Sequence, residues 1–214
     1  MKIIQIYRQC KKIDASFALY CWNLIYYRKF LGKNLFKHPK TIIKGLKNIE
    51  IKEALNIGVS YVGFVHKNDT TFLNVSGKLI INGRASIGRG ARLCIGKDAI
   101  MNMGDKSYIN PFTKVIITHG LEIGNNCAIS WNCQILDEDF HVIEYEGKKE
   151  IETNKIVISD HVWIGSGVSI YRGTFIAKGC VVAANSVVKG AFNEENTLIA
   201  GNPARMIKHN IIWK

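Results

Sequence analysis

The sequence predicts a mainly β chain wound as a parallel β-helix of hexapeptide repeats, with a helical segment ahead of it and one loop extruded from it. Three observations carry this reading. From Ile158 onward, Ile158, Ile164, Ile170, Ile176, Val182 and Val188 recur every six positions. The fifth place of each hexad holds a small or β-branched residue: Val162, Val168, Thr174, Cys180 and Ser186. An amphipathic helix needs apolar recurrence at three and four residues, and that pattern is absent here. Each hexad therefore reads as a short strand plus a corner, and stacked coils share one continuous core.

Residues 1–38 stand apart. Phe17, Leu19, Tyr20, Trp22, Leu24, Ile25, Tyr26, Tyr27, Phe30, Leu31 and Phe36 interleave with Arg28, Lys29, Lys33 and Lys37. The pattern predicts one or two helices, starting near Asp14 or Ser16 and stopping near Gly32. Two roles stay open: a cap that covers the raw sheet edge of the first coil, or a basic, aromatic helix lying on the inner membrane face.

Pro39 sets the boundary, because proline disfavours helix in the residue before it, and the β-helix is expected over 39–205. Its repeats begin raggedly at Ile42, Ile49, Ile51 and Ile57, then settle into phase at Val75, Ile81, Ile87 and Leu93. Gly88 and Gly96 follow aliphatic residues and supply permissive corners. Two-residue slips from Leu93 to Ile95 and from Val115 to Ile117 read as bulges that a solenoid absorbs at little entropic cost. Phase holds through Ile117, Ile123, Ile129 and Ile135, breaks at Leu136 and resumes at Ile158, so the polar stretch 136–157 must project. Residues 206–214, with Ile211, Ile212 and Trp213, read as a tail packing back on the coils.

A chain of 214 residues with 47% hydrophobic content suits one domain. Its net charge of +12 would draw nucleic acid, a membrane surface or an anionic ligand. The repeats lack a nucleic-acid-binding motif and a tight basic cluster with stacking aromatics, which argues against nucleic acid. The six cysteines, at 10, 21, 94, 127, 133 and 180, show no CxxC pair. Three of them fill the small hexad position, as buried reduced residues do, so a cytoplasmic, reducing location is expected. The N-terminus has no signal-peptide pattern, and no apolar run approaches the length of a spanning helix, about 18 residues.

The run Val162-Trp163-Ile164-Gly165-Ser166-Gly167-Val168 and the closing Ala200-Gly201-Asn202-Pro203-Ala204-Arg205 resemble the hexapeptide-repeat acyltransferases, over roughly 75–205 and most nearly those acting on sugars and capsular or other surface polysaccharides. The resemblance implies a left-handed helix, a homotrimer with sites between neighbouring subunits, acetyl-CoA as donor, and direct O-acetylation of a sugar or polysaccharide hydroxyl through a ternary complex. It places the general base at His141 in the extruded loop. A neutral imidazole suits that work near pH 7, its ordinary pKa being about 6.5. Such a base needs its second ring nitrogen held, and Asp139, or a backbone carbonyl, is the expected partner. Acceptor contacts fall on Asn110, His119 and Asp137. At 118–119 this chain has Thr-His where relatives usually carry an aspartate, which leaves the acceptor open and suits an anionic sugar. On the donor side the resemblance implies Trp163, Gly165, Ser166, Ala183 and Ala184 along the thioester and pantetheine arm, with Lys189 and Arg205 at the phosphates.

Three histidines on a β-helix also raise a metal-dependent hydratase of this fold, which takes three imidazoles on one metal. His119, His141 and His161 lack the close pair such a site uses, so no metal is expected. Two further alternatives are an N-acetyltransferase of an amino-sugar nucleotide and a β-helical scaffold without activity.

Overall fold

A computed structural model describes residues 3–59, 63–141, 144–145, 148–149 and 155–214. The described chain is a left-handed parallel β-helix. Its strands stack into three faces of nine, seven and seven strands. The first face begins with Leu35–Lys37 and ends with Leu198–Gly201 and the antiparallel return strand Ala204–Lys208. The second face runs from Thr41–Lys44 to Val187–Val188, and the third from Ile49–Ile51 to Ala191–Phe192. The chain passes from first to second face at a first edge, from second to third at a second edge, and from third back to first at a third edge.

Inward residues form vertical ladders. On the first face Ile57, Ile87, Ile109, Ile129, Ile164, Val182 and Ile199 lie in register. On the second, Leu73, Leu93, Val115, Ile135, Ile170 and Val188 do. All are essentially excluded from water, and burying each aliphatic side chain contributes about 1.5–3 kcal/mol. Cys127, Cys133 and Cys180 fill corner positions as free buried thiols. Cys127 Sγ donates to Ser159 O at 3.0 Å and Cys133 Sγ to Gly165 O at 3.2 Å, so each also stitches one coil to the next.

Three expectations are corrected. The slips at Leu93–Ile95 and Val115–Ile117 are not bulges. The second-face strands Arg92–Ile95 and Lys114–Ile117 are four residues long and turn two residues inward, and Val115 and Ile117 pair in register with Leu93 and Ile95. Gly88 has no positive φ; a Cβ there would stand 2.4 Å from Pro111 N of the next coil, so close stacking demands the glycine. The left-handed conformation instead falls on corner residues such as Asn126 (φ 55°), Asn132 (58°) and Asn185 (59°), and asparagine tolerates it better than most residues. Lastly, the solenoid begins before Pro39, because Leu35–Lys37 already pairs with Ala54–Ile57.

Ahead of that strand lie helix α1 (Ile3–Lys12), helix α2 (Phe17–Ile25) and a π-helical turn (Tyr26–Phe30), with Gly32 beyond at φ 60°. Cys10, Ile13 and Tyr20 pack with Val59 of the solenoid. The docking is keyed by Arg89, whose guanidinium is buried at 1% exposure. It donates to Ile13 O at 2.6 Å, to Gly58 O at 3.2 Å and to His66 O at 3.3 Å, joining the helical segment to the first edge.

Beside Arg89 sits His38, also buried. Its Nδ1 accepts the Lys40 N–H at 3.1 Å, and its Nε2 has no hydrogen-bond partner. Desolvation first, and the Arg89 charge second, push its pKa from 6.5 down to about 4. The folded state thus holds His38 neutral while the unfolded chain binds the proton near pH 6.5. Stability from this group is complete above that pH and is lost as pH falls toward 4, by up to about 3 kcal/mol. Denaturant titrations at pH 7 and 4.5 are expected to show that loss, and His38→Phe is expected to remove much of the difference.

Candidate active site

The residues expected to do chemistry divide between two edges. At the second edge, the strand Gln134–Leu136 runs straight into Asp137, which is fully buried. Its Oδ1 accepts the Thr118 N–H at 2.7 Å, and its Oδ2 accepts the N–H groups of His119 at 2.8 Å and Gly120 at 2.7 Å. Asp137 therefore locks the turn of the coil below to the base of the extruded loop. With its carboxylate committed to backbone donors, the expected acceptor contact at Asp137 is corrected to a structural one.

Glu138 then reaches His119, with Oε2 2.7 Å from Nε2. This hydrogen bond, ahead of all other causes, holds the Glu138 carboxyl below its usual range. Asp139 turns to Arg172 of the following coil, whose Nε donates to Oδ2 at 2.5 Å. That pairing departs from the expectation that Asp139 holds His141: the guanidinium one coil further on engages the carboxylate. His141 is exposed beside these pairs and makes no hydrogen bond among the described residues. Past it, strands Glu144–Tyr145 and Lys148–Lys149 form an antiparallel pair separate from the three faces. Lys189 follows Val187–Val188, so it too stands at the second edge.

The first edge gathers Asn110, Gly165, Ser166, Ala183 and Ala184. Trp163 precedes them on the outer side of the first face, 41% exposed, with Nε1 donating to Ser130 Oγ at 3.2 Å. Gly165 is buried, and a Cβ there would lie 2.7 Å from Ala184 N. Its small size is thus required by the next coil. Ser166 and Ala184 do face outward, and their N–H groups make no hydrogen bond among the described residues. Two such donors on successive coils are suited to carbonyl or amide oxygens, and the Trp163 ring lies 6.1 Å from that of Trp213 in the tail. Arg205 lies on the return strand opposite Ala200.

Of the three histidines, His161 belongs to the third edge. It stacks on Trp213 at 4.2 Å, and the Trp213 Nε1 donates to His161 O at 3.0 Å, so the tail meets this edge through Trp213. Glu138 and Arg172 were not anticipated as partners. The ladder that pairs Ile116 with Leu136 brings 118–119 beside 137–138.

No family model matches the chain. It is 37% identical over 208 residues to an uncharacterized 24.8 kDa protein in the cps region of Klebsiella pneumoniae, covering 96% of this chain and 93% of that one. A putative lipopolysaccharide biosynthesis O-acetyl transferase of Escherichia coli K12 is 28% identical over 147 residues, covering 64% and 74% of the two chains. A crystallised polysialic acid O-acetyltransferase shares the fold, with a TM-score of 0.53 at 20% identity over 84% of this chain and 90% of that one.

Asp137→Ala strands three backbone donors at about 1–3 kcal/mol each, whereas Asp139→Ala removes a partly exposed ion pair worth about 1 kcal/mol or less. Thermal unfolding is expected to show a large drop for the first variant and a small one for the second.

Proposed function

The chain belongs to the hexapeptide-repeat acetyltransferase family, and from that premise we propose that it moves an acetyl group from acetyl-CoA to a hydroxyl of a sugar or capsular polysaccharide. The observation that carries the donor half is the first edge, where the N–H groups of Ser166 and Ala184 make no hydrogen bond among the described residues and Trp163 stands exposed on the adjoining face. The relative named as a putative lipopolysaccharide biosynthesis O-acetyl transferase supports a glycan as acceptor.

In this reading the pantetheine arm lies along Ala183 and Ala184, and the Ser166 N–H points to the thioester oxygen. A preorganised donor of that kind is worth a few kcal/mol as the oxygen gains charge. His141 takes the acceptor's hydroxyl proton as that oxygen bonds to the thioester carbon. The carbon–sulfur bond breaks, and the leaving thiolate recovers a proton from the imidazolium. Because Asp139 is paired with Arg172, we assign the orientation of His141 to a backbone carbonyl. Asn110, at the donor edge, and His119, held by Glu138, are the proposed acceptor contacts.

One chain does not join the two halves. A four-residue second-face strand such as Lys114–Ile117, at about 3.3 Å per residue plus its turns, separates the edges. We therefore place each site between adjoining copies of a homotrimer, with the phosphates near Arg205 and, at the other edge, Lys189. The cytoplasm, which holds the donor, is the proposed location.

His141→Ala is expected to leave CoA affinity in calorimetry within about twofold while lowering turnover at least about 100-fold. Unchanged turnover removes His141 from the mechanism. Assaying hydroxyl glycans against amino-sugar nucleotides separates O- from N-transfer, and absent CoA binding marks a scaffold.

A further inference from the structure

The helical segment carries two apolar faces, and the solenoid covers one of them. Ile6, Cys10 and Ile13 recur at helical spacing and turn inward, as do Tyr20 and Leu24 of α2 and Tyr27 of the π-helical turn. The other face points to solvent. On α1 it bears Ile3, Ile4 and Tyr7; through α2 and the π-helical turn it bears Leu19, Trp22, Tyr26 and Phe30. Trp22 is 61% exposed and Phe30 70%. A run of large apolar side chains on so short a segment marks a surface that meets another apolar phase.

Charge identifies that phase. The first 38 residues hold eight of the chain's 29 Lys and Arg and one of its 17 Asp and Glu. Lys11 lies over the Tyr7 ring at 5.2 Å, and Arg28 and Lys29 are exposed beside Phe30. Aromatic and aliphatic side chains flanked by cations match the boundary of an anionic bilayer, with rings among the acyl chains and ammonium groups at the phosphates. A second copy of this face would set cations against cations, and a nucleic acid would leave Ile3, Ile4 and Leu19 without a partner. Among the described residues no helix is long and apolar enough to cross a membrane.

We propose that the outer face of α1, α2 and the π-helical turn is a docking surface for an anionic phospholipid bilayer, on which the segment lies flat while its inner face caps the first coil. Cap and membrane helix are then two sides of one element. The inference stands independently of the transferase reading.

Flotation of the full-length protein with large unilamellar vesicles tests it. Vesicles of phosphatidylcholine containing about 30% phosphatidylglycerol are expected to bind at least about tenfold more protein than phosphatidylcholine alone, with binding weakening as salt rises. The Trp22→Ser/Phe30→Ser pair is expected to lose about tenfold, and Arg28→Gln/Lys29→Gln, which leaves the apolar face intact, several-fold. CoA affinity stays unchanged in both, so a failure here is separable from a failure of the donor site. Equal binding to both vesicle types, or wild-type binding by both variants, would overturn the proposal. So would a shift in sedimentation of the lipid-free variants, which would make the face a contact between copies.

Discussion

Everything in this protein depends on the stacking of one aliphatic residue directly above another. The ladders from Ile57 to Ile199 and from Leu73 to Val188 leave no freedom of register, because a shift by one residue would turn the buried set of a coil outward. Fixed register fixes which corner residues become neighbours. Arg89 meets Ile13 and Gly58, Asp137 meets the turn at 118–120, and Asp139 meets Arg172. These polar pairings are long-range in sequence and local in the stack.

Stacking also decides where variation is tolerated. The faces are paired from coil to coil, so the chain departs from the prism only at its edges. The extruded loop leaves at the second edge, on a base that Asp137 ties to the previous coil. The proposed donor edge is the first, where the chain makes one excursion, 58–70, among the early coils and short corners such as 165–168 and 183–186 join the later ones. At these later corners Gly165 packs against Ala184 and small residues keep successive coils close. The extruded loop and these close-packed corners thus occupy separate edges of one prism.

Much of this was legible in the sequence. The six-residue rhythm gave the β-helix, the small fifth positions gave the buried corners, and the break between Leu136 and Ile158 gave the loop. The hexad count located residues by face but not by partner, since pairing follows coil length, and four-residue strands make coils unequal. That is why the His119–Glu138 and Asp139–Arg172 pairings were not foreseen and why Asp139 was assigned to His141. Gly88 was misread for a related reason: the contact that requires the glycine comes from the next coil, which a linear pattern does not show. In the first 38 residues, helix content was clear from composition, while the division into a covered and an open face needed the contacts of Cys10, Ile13 and Tyr20.

The central claim is that a working site joins the second edge of one copy to the first edge of another. Complementation measures this directly. His141→Ala subunits keep an intact groove and Ala184→Trp subunits an intact loop, and each alone is expected to be inactive. Equal mixing with subunit exchange, verified by orthogonal tags, is expected to restore roughly a quarter of wild-type activity, the share of sites that receive one intact half from each neighbour. Mixed oligomers that form and remain inactive would contradict the account.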